Sequence, residues 1–141
     1  MQKTELSLYN IINQLFKAQQ HKKSFVYIPY TIESKKLISF FYKKGFISII
    51  QIIEKNNNIN NKIISYYKIY FNYLHTSISL FNQIKFISKP SKRYYISYKK
   101  INKFLLKYRS CLTLIKTPYG YFSLVDCLYF KIGGEFICIL S

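Results

Sequence analysis

A chain of 141 residues, half of them apolar and 19% aromatic, can build one core or two small lobes; its length excludes a third, distant domain and its composition excludes a disordered polypeptide. Against 22 Lys and Arg stand only five Asp and Glu, for a formal net charge of +17. Such a chain repels itself unless an anion lies beside it, and nucleic acid is the commonest such partner, with an anionic membrane surface as the rival.

Leu8, Ile11, Ile12 and Leu15 recur at helical spacing, so residues 7–20 are predicted to form an amphipathic helix with this stripe turned inward. A short strand follows at Phe25, Tyr27 and Ile28, because the residue before Pro29 is pushed toward extended geometry. In "YTIESKKLISFFYKKGF" the helix signals are complete: Thr31 as N-cap, Glu33 in the first turn, Lys43 and Lys44 in the last, Gly45 beyond the end. Residues 46–53 are rich in β-branched side chains and read as a strand that stops at the low-complexity patch "EKNNNINNK", the expected hairpin loop. Residues 63–74 and 78–87 continue as strand-like runs. The first half therefore reads α-β-α-β-β, a small sheet with helices on one face.

At "SKPSKRYYISYKK" the composition shifts, with Lys, Arg and Tyr interleaved around Pro90. Cations hold phosphates while rings stack on unpaired bases or riboses, which is the chemistry of RNA binding; an exposed, solvated hairpin is the plainer alternative. A short helix over 100–108 is expected next, then strand, turn, strand or short helix, and a last strand "EFICIL". The predicted class is α+β in two lobes, 1–84 and 85–141, the second mainly β with a short helix.

Catalysis and metal binding lack the residues they need. Cys111, Cys127 and Cys138 are odd in number and without C-x-x-C spacing, so they read as buried thiols rather than a disulfide framework or a zinc site. His21 and His75 have no Asp or Glu near them in sequence to suggest a triad. No enzyme, cofactor, metal or small-molecule substrate is predicted. The stretch 69–84 carries no formal charge but is too short and too polar to cross a membrane, and the N-terminal region has no h-region. Ile, Lys, Asn, Tyr and Phe dominate, while Ala18 is the sole alanine and Arg93 and Arg109 the sole arginines. Those residues have AT-rich codons, so the gene is expected to come from an AT-biased genome: an organelle first, with a reduced endosymbiont or an AT-rich nucleus as alternatives. Glu5 argues against a cleaved transit peptide, so an organellar protein would be made inside the organelle.

Three blocks, in order and at family spacing, carry a resemblance. Pro29, the 31–44 helix and "KKGFI" come first; "SKPSKRYY", with Ser88, Lys89, Pro90, Arg93 and Tyr95, comes second; "GGEFICIL" closes the chain. Together they resemble the small-subunit ribosomal protein eight family, whose versions are "EEGFI", Ser-Arg/Lys-Pro-Gly-x-Arg-x-Tyr, and Gly-Gly-Glu before an apolar strand with a cysteine. Counted back without gaps from Gly133, the family's RNA loop Ser-Thr-Ser-Lys-Gly falls on "KTPYG". Thr117 and Gly120 are kept, and Lys116, Pro118 and Tyr119 replace the two serines and the lysine. The family's Asp-Pro is here Leu6-Ser7, its Arg-x-Arg is Gln14-Leu15-Phe16, and the glycine after Pro90 is Ser91.

The resemblance implies a structural component of the small ribosomal subunit that binds the central domain of its rRNA, supports assembly and touches neighbouring ribosomal proteins, here in the mitochondrial matrix. It implies that Lys89, Lys92, Arg93 and Lys116 neutralise phosphates, that Tyr95 and Tyr119 pack on ribose or bases, and that Thr117 with the Gly120 backbone reads groove shape, with Ser88 in the same set. Glu135 is expected either to hold the Thr117 loop or to accept from a base amino group. Gly120 is read as a tight turn that can approach a phosphate, and Gly133 and Gly134 as turn residues with backbone angles closed to other residues. The rivals are a free RNA-binding regulatory protein and a basic membrane-surface protein.

Overall fold

In the computed structural model, which describes residues 2–57, 62–73 and 80–141, the chain divides into two units, Met1–Leu80 and Phe81–Ser141. Helices and antiparallel sheets occur in both, an α+β fold.

In the first unit the stripe Leu8, Ile11, Ile12, Leu15 is buried along α1 (Gln2–Gln20), which starts earlier than its apolar periodicity indicated. After β1 (Phe25–Pro29), helix α2 (Ile32–Lys43) begins and ends on local chemistry. Thr31 accepts from the Ser34 amide at 3.0 Å while the Thr31 amide donates to the Ser34 hydroxyl at 2.8 Å, a reciprocal capping box. At the other end Gly45 turns left-handed at φ +82, and the Gly45 and Phe46 amides donate to the carbonyls of Tyr42 and Phe41. That satisfies two carbonyls the helix leaves open, and the rings of Phe41 and Phe46 meet 6.3 Å apart beside it. Leu37, Ile38, Phe40 and Phe41 are buried, each contributing about 1.5–3 kcal/mol through removal from water.

Strands β2 (Ile47–Asn57) and β3 (Lys62–Phe71) form a long hairpin, and β3 lies between β1 and β2 in the sheet. Here the expected loop is corrected: Glu54, Lys55, Asn56 and Asn57 pair with Ser65, Ile64, Ile63 and Lys62, so most of the low-complexity patch is strand. Pairing with a committed partner strand outweighs the weak intrinsic β-preference of Asn, Lys and Glu. The middle of the patch, 58–61, lies outside the described residues, as do 74–79. Strand alternation gives the sheet two unlike faces. Ile28, Tyr67 and Ile69 are buried on the face that the two helices cover; Phe25, Tyr27, Lys68 and Tyr70 stand on the other.

The second unit contains β4 (Ile84–Phe86), β5 (Tyr95–Ile96), α3 (Tyr98–Lys107), β6 (Leu112–Thr117), β7 (Gly120–Phe122), α4 (Leu124–Tyr129) and β8 (Gly134–Leu140). The strand expected over 78–87 as part of the first lobe is, in its described part, β4, which pairs with β8; Ile84 thus belongs to the second sheet. An apolar run announces a strand but not its partner. β8 also pairs with β5 and β6 and is buried on both faces from Phe136 to Leu140, which is why "FICIL" is continuously apolar. The lobe has a second helix where one was expected. Ser123 caps α4, accepting from the Asp126 amide at 3.3 Å while its own amide and hydroxyl donate to the Asp126 carboxylate at 3.1 and 2.8 Å, and buried Thr113 accepts from the Leu124 amide at 2.9 Å.

Cys127 and Cys138 are fully buried and Cys111 is half-buried. Burial, helped by the neighbouring Asp126 carboxylate, pushes the Cys127 thiol up to about 11, and burial also raises that of Cys138. Thiolate is the nucleophile, and a raised pKa keeps both groups as thiols until the pH rises past it. Iodoacetamide at pH 8 is therefore expected to label Cys111 first and to reach Cys127 and Cys138 only after unfolding, as peptide mass spectrometry would read; simultaneous labelling of all three would refute it.

Candidate nucleic-acid interface

The basic block folds as a tight hairpin. Lys89 and Lys92 form an isolated bridge and exchange backbone hydrogen bonds of 2.9 and 3.0 Å across Pro90-Ser91. Lys89, Lys92 and Arg93 are exposed. Their platform is Ser88, which is 0% exposed: its hydroxyl accepts from the Tyr94 amide at 2.9 Å and donates to the Tyr94 carbonyl at 3.3 Å, and its amide donates to Phe136 on β8. Ser88 is thus a support for the cations, not a surface contact. Tyr94 and Tyr95 point opposite ways: the Tyr94 ring meets Phe104 of α3 edge-on at 6.1 Å, while Tyr95 is 64% exposed.

"KTPYG" forms the turn between β6 and β7, with Thr117 paired to Gly120. Pro118 is held at negative φ and Tyr119 is not left-handed, so this is not one of the primed turns that match strand twist; Gly120, at φ +131, absorbs the mismatch. The Thr117 hydroxyl donates to the Gly120 carbonyl at 2.9 Å and accepts from the Tyr119 amide at 3.3 Å. With Thr117 only 7% exposed, that hydroxyl shapes the turn, and the turn presents Tyr119, which is 80% exposed at the tip. Around Gly120 the backbone is open, with no atom within 4 Å of where a Cβ would stand.

Tyr95, Glu135 and Lys116 are direct partners across β5, β8 and β6, so their side chains share one face. They line an open cleft of about 700 Å³ together with Ser97, Lys100 and Pro118. Ser97, Lys100 and Pro118 are additions to the residues read from sequence. Lys100 had a signal, since with Lys103 and Lys107 it repeats on one face of α3. Ser97 heads α3 without a side-chain cap bond and lines the cleft. The Lys89–Lys92 hairpin and the Tyr119 tip do not line the cleft.

The role of the glycine pair is corrected. Neither Gly133 nor Gly134 has positive φ; a Cβ on Gly133 would stand 2.5 Å from the Ile96 carbonyl oxygen, and one on Gly134 would stand 2.5 Å from that of Lys116. Both are needed because backbone passes against backbone at the floor of the cleft. Among the described residues no group of three or more His, Cys, Asp and Glu could hold a metal, and no described helix is long and apolar enough to cross a membrane.

The family model described as Ribosomal protein S8 matches residues 7–140. Small ribosomal subunit protein uS8c of Bigelowiella natans is 30% identical over 132 residues, 93% of this chain and 95% of that protein. Small ribosomal subunit protein uS8 of Rickettsia typhi is 27% identical over 92% of each chain, and uS8m of Acanthamoeba castellanii is 33% identical over 70% of each.

Proposed function

The chain belongs to the Ribosomal protein S8 family, a structural and non-enzymatic family, and from that premise we propose that it binds the central domain of small-subunit rRNA in a mitochondrial ribosome. The ribosomal role itself follows from relatives named as small ribosomal subunit proteins over more than nine-tenths of the chain. The observation that carries the RNA reading is the placement of cations and rings on one lobe: the Lys89–Arg93 hairpin on its buried Ser88 platform, Lys116 and Lys100 in the cleft, and Tyr119 at a turn held by Thr117.

The division of labour is physical. Lys89, Lys92, Arg93 and Lys116 neutralise phosphates and set the salt dependence. Tyr95 and Tyr119 pack on riboses or unpaired bases, and the open backbone at Gly120 admits a close approach. Thr117 acts through the turn it shapes, and Glu135 beside Lys116 is an acceptor for an exocyclic amino group. The mitochondrial assignment is supported by the AT-biased composition and by similarity to the mitochondrial relative of Acanthamoeba castellanii. Co-fractionation of the protein with mitochondrial small subunits tests it; recovery with plastid ribosomes would reassign the organelle.

Binding to the central-domain stem of its own rRNA, measured against an unrelated hairpin of equal length across a salt series, tests the RNA reading. Preference for the stem is expected to persist as salt rises, and Tyr119→Ala is expected to lower stem affinity about tenfold by removing a stacking ring. Equal binding to both hairpins, collapsing together with salt, would leave a polycation without recognition and overturn the reading.

A further inference from the structure

The face of the β1-β3-β2 sheet turned away from the helices is not the bland polar surface that solvent alone requires. Strand register places Phe25, Tyr70 and Ile49 in one row and Tyr27, Lys68 and Gln51 in the next. Phe25 lies 5.5 Å from Tyr27 and 5.9 Å from Tyr70, ring centre to ring centre. The Lys68 ammonium stands 4.3 Å over the Phe25 ring and 5.1 Å over that of Tyr70, and the Lys55 ammonium stands 4.7 Å over Tyr27. Phe25 and Ile49 are 37% and 52% exposed. At the free edge of β1, Phe25 and Tyr27 also line a second cleft, of about 500 Å³, with Lys23 and Gln14. Among the described residues no carboxylate sits on this face, since Glu54 pairs with Ser65 on the other.

We propose that this open face is a second RNA site, which takes a single-stranded segment by stacking bases on Phe25, Tyr27 and Tyr70 while Lys55 and Lys68 neutralise its phosphates. The proposal rests on the reading of the chain as an RNA binder, but it uses a different unit and none of the residues around Thr117. Two features choose RNA over a protein partner. Lysines stand in the middle of the patch, where protein interfaces are depleted of charge. Each lysine also lies over a ring, so an ammonium that swings out to a phosphate uncovers a π-face for the base of the same nucleotide. Duplex is not the fit, because its bases are already stacked on one another and offer no free face.

The test uses the full chain and two fluorescent probes, a short oligouridylate and the central-domain stem. Phe25→Leu with Tyr27→Leu is expected to lower oligouridylate affinity at least about tenfold. Lys68→Gln, which removes the charge of a half-buried side chain and keeps every ring of the face, is expected to flatten the oligouridylate salt slope by about 0.7. Neither variant should change stem affinity, whereas Tyr119→Ala should do the reverse. Unaltered oligouridylate binding in both variants would overturn the site. So would a photocrosslink from benzoylphenylalanine in place of Tyr27 that lands on a ribosomal protein rather than on RNA in assembled subunits. Failure of the wild-type protein to prefer its stem would count only against the Thr117 interface, because the probes are read separately.

Discussion

Gly134→Ala is expected to destabilise the second unit by about 3 kcal/mol, far more than an alanine normally costs in a strand. The new Cβ would stand 2.5 Å from the Lys116 carbonyl oxygen, 2.9 Å from Ile115 Cγ2 and 3.0 Å from Thr117 Cγ2. All three atoms belong to β6, and the carbonyl is backbone that cannot rotate away. Relief requires β6 to move from β8, yet the Lys116–Glu135 and Ile115–Phe136 pairs hold the two strands together. Gly45→Ala is the control. At φ +82 it meets no atom within 4 Å, so only left-handed strain opposes it, about 1 kcal/mol. Urea unfolding followed by tyrosine fluorescence compares the two; a loss at Gly134 no larger than at Gly45 would show that β6 yields freely and that the close approach is not what requires glycine.

Replacing Lys89, Lys92 and Arg93 together by glutamine is expected to weaken stem binding about a hundredfold at moderate salt and to reduce the salt slope by about 2.7, which is about 0.9 for each duplex phosphate no longer neutralised. The effect should fall almost equally on the cognate stem and on an unrelated hairpin, because phosphates carry no sequence. Stability should hardly change, since the three side chains are exposed and the hairpin is held by Ser88 from beneath. Ser88→Ala supplies the contrast. It removes no charge but frees the Tyr94 amide from its 2.9 Å partner, so it should loosen the hairpin and lower affinity while leaving most of the salt slope in place. An unchanged slope in the triple variant would mean that these cations do not face phosphate.

Much of the first unit was legible because its signals act over a few residues. Thr31, Glu33 and Gly45 bound α2, and Pro29 closes β1, through hydrogen bonds and steric limits within one turn. The capping box Ser123–Asp126 was equally local and equally present, but six helical residues leave too little periodicity beside it to separate helix from strand. The Asn-rich patch misled in the opposite direction, since composition proposed a loop where Asn56 and Asn57 continue the ladder with β3.

The site divides along the same line. Its basic block, its turn and its glycines are continuous words in the chain, so the residues could be named. Their roles could not. Ser88 and Thr117 face inward and act on the backbone that carries Lys89 and Tyr119, and Gly133 and Gly134 are required by strands that come from elsewhere.

From the order of residues alone follow the excess of positive charge, the start and stop of α2 and the family blocks, because each depends on composition or on neighbours within about four positions. Tertiary structure decided that β4 joins β8, that Tyr95, Glu135 and Lys116 meet across three strands, and that Ser97 and Lys100 complete their cleft. Strand pairing joins residues far apart in the chain, and which edge wins depends on the apolar surface each arrangement buries, a quantity that exists only once the sheet has formed.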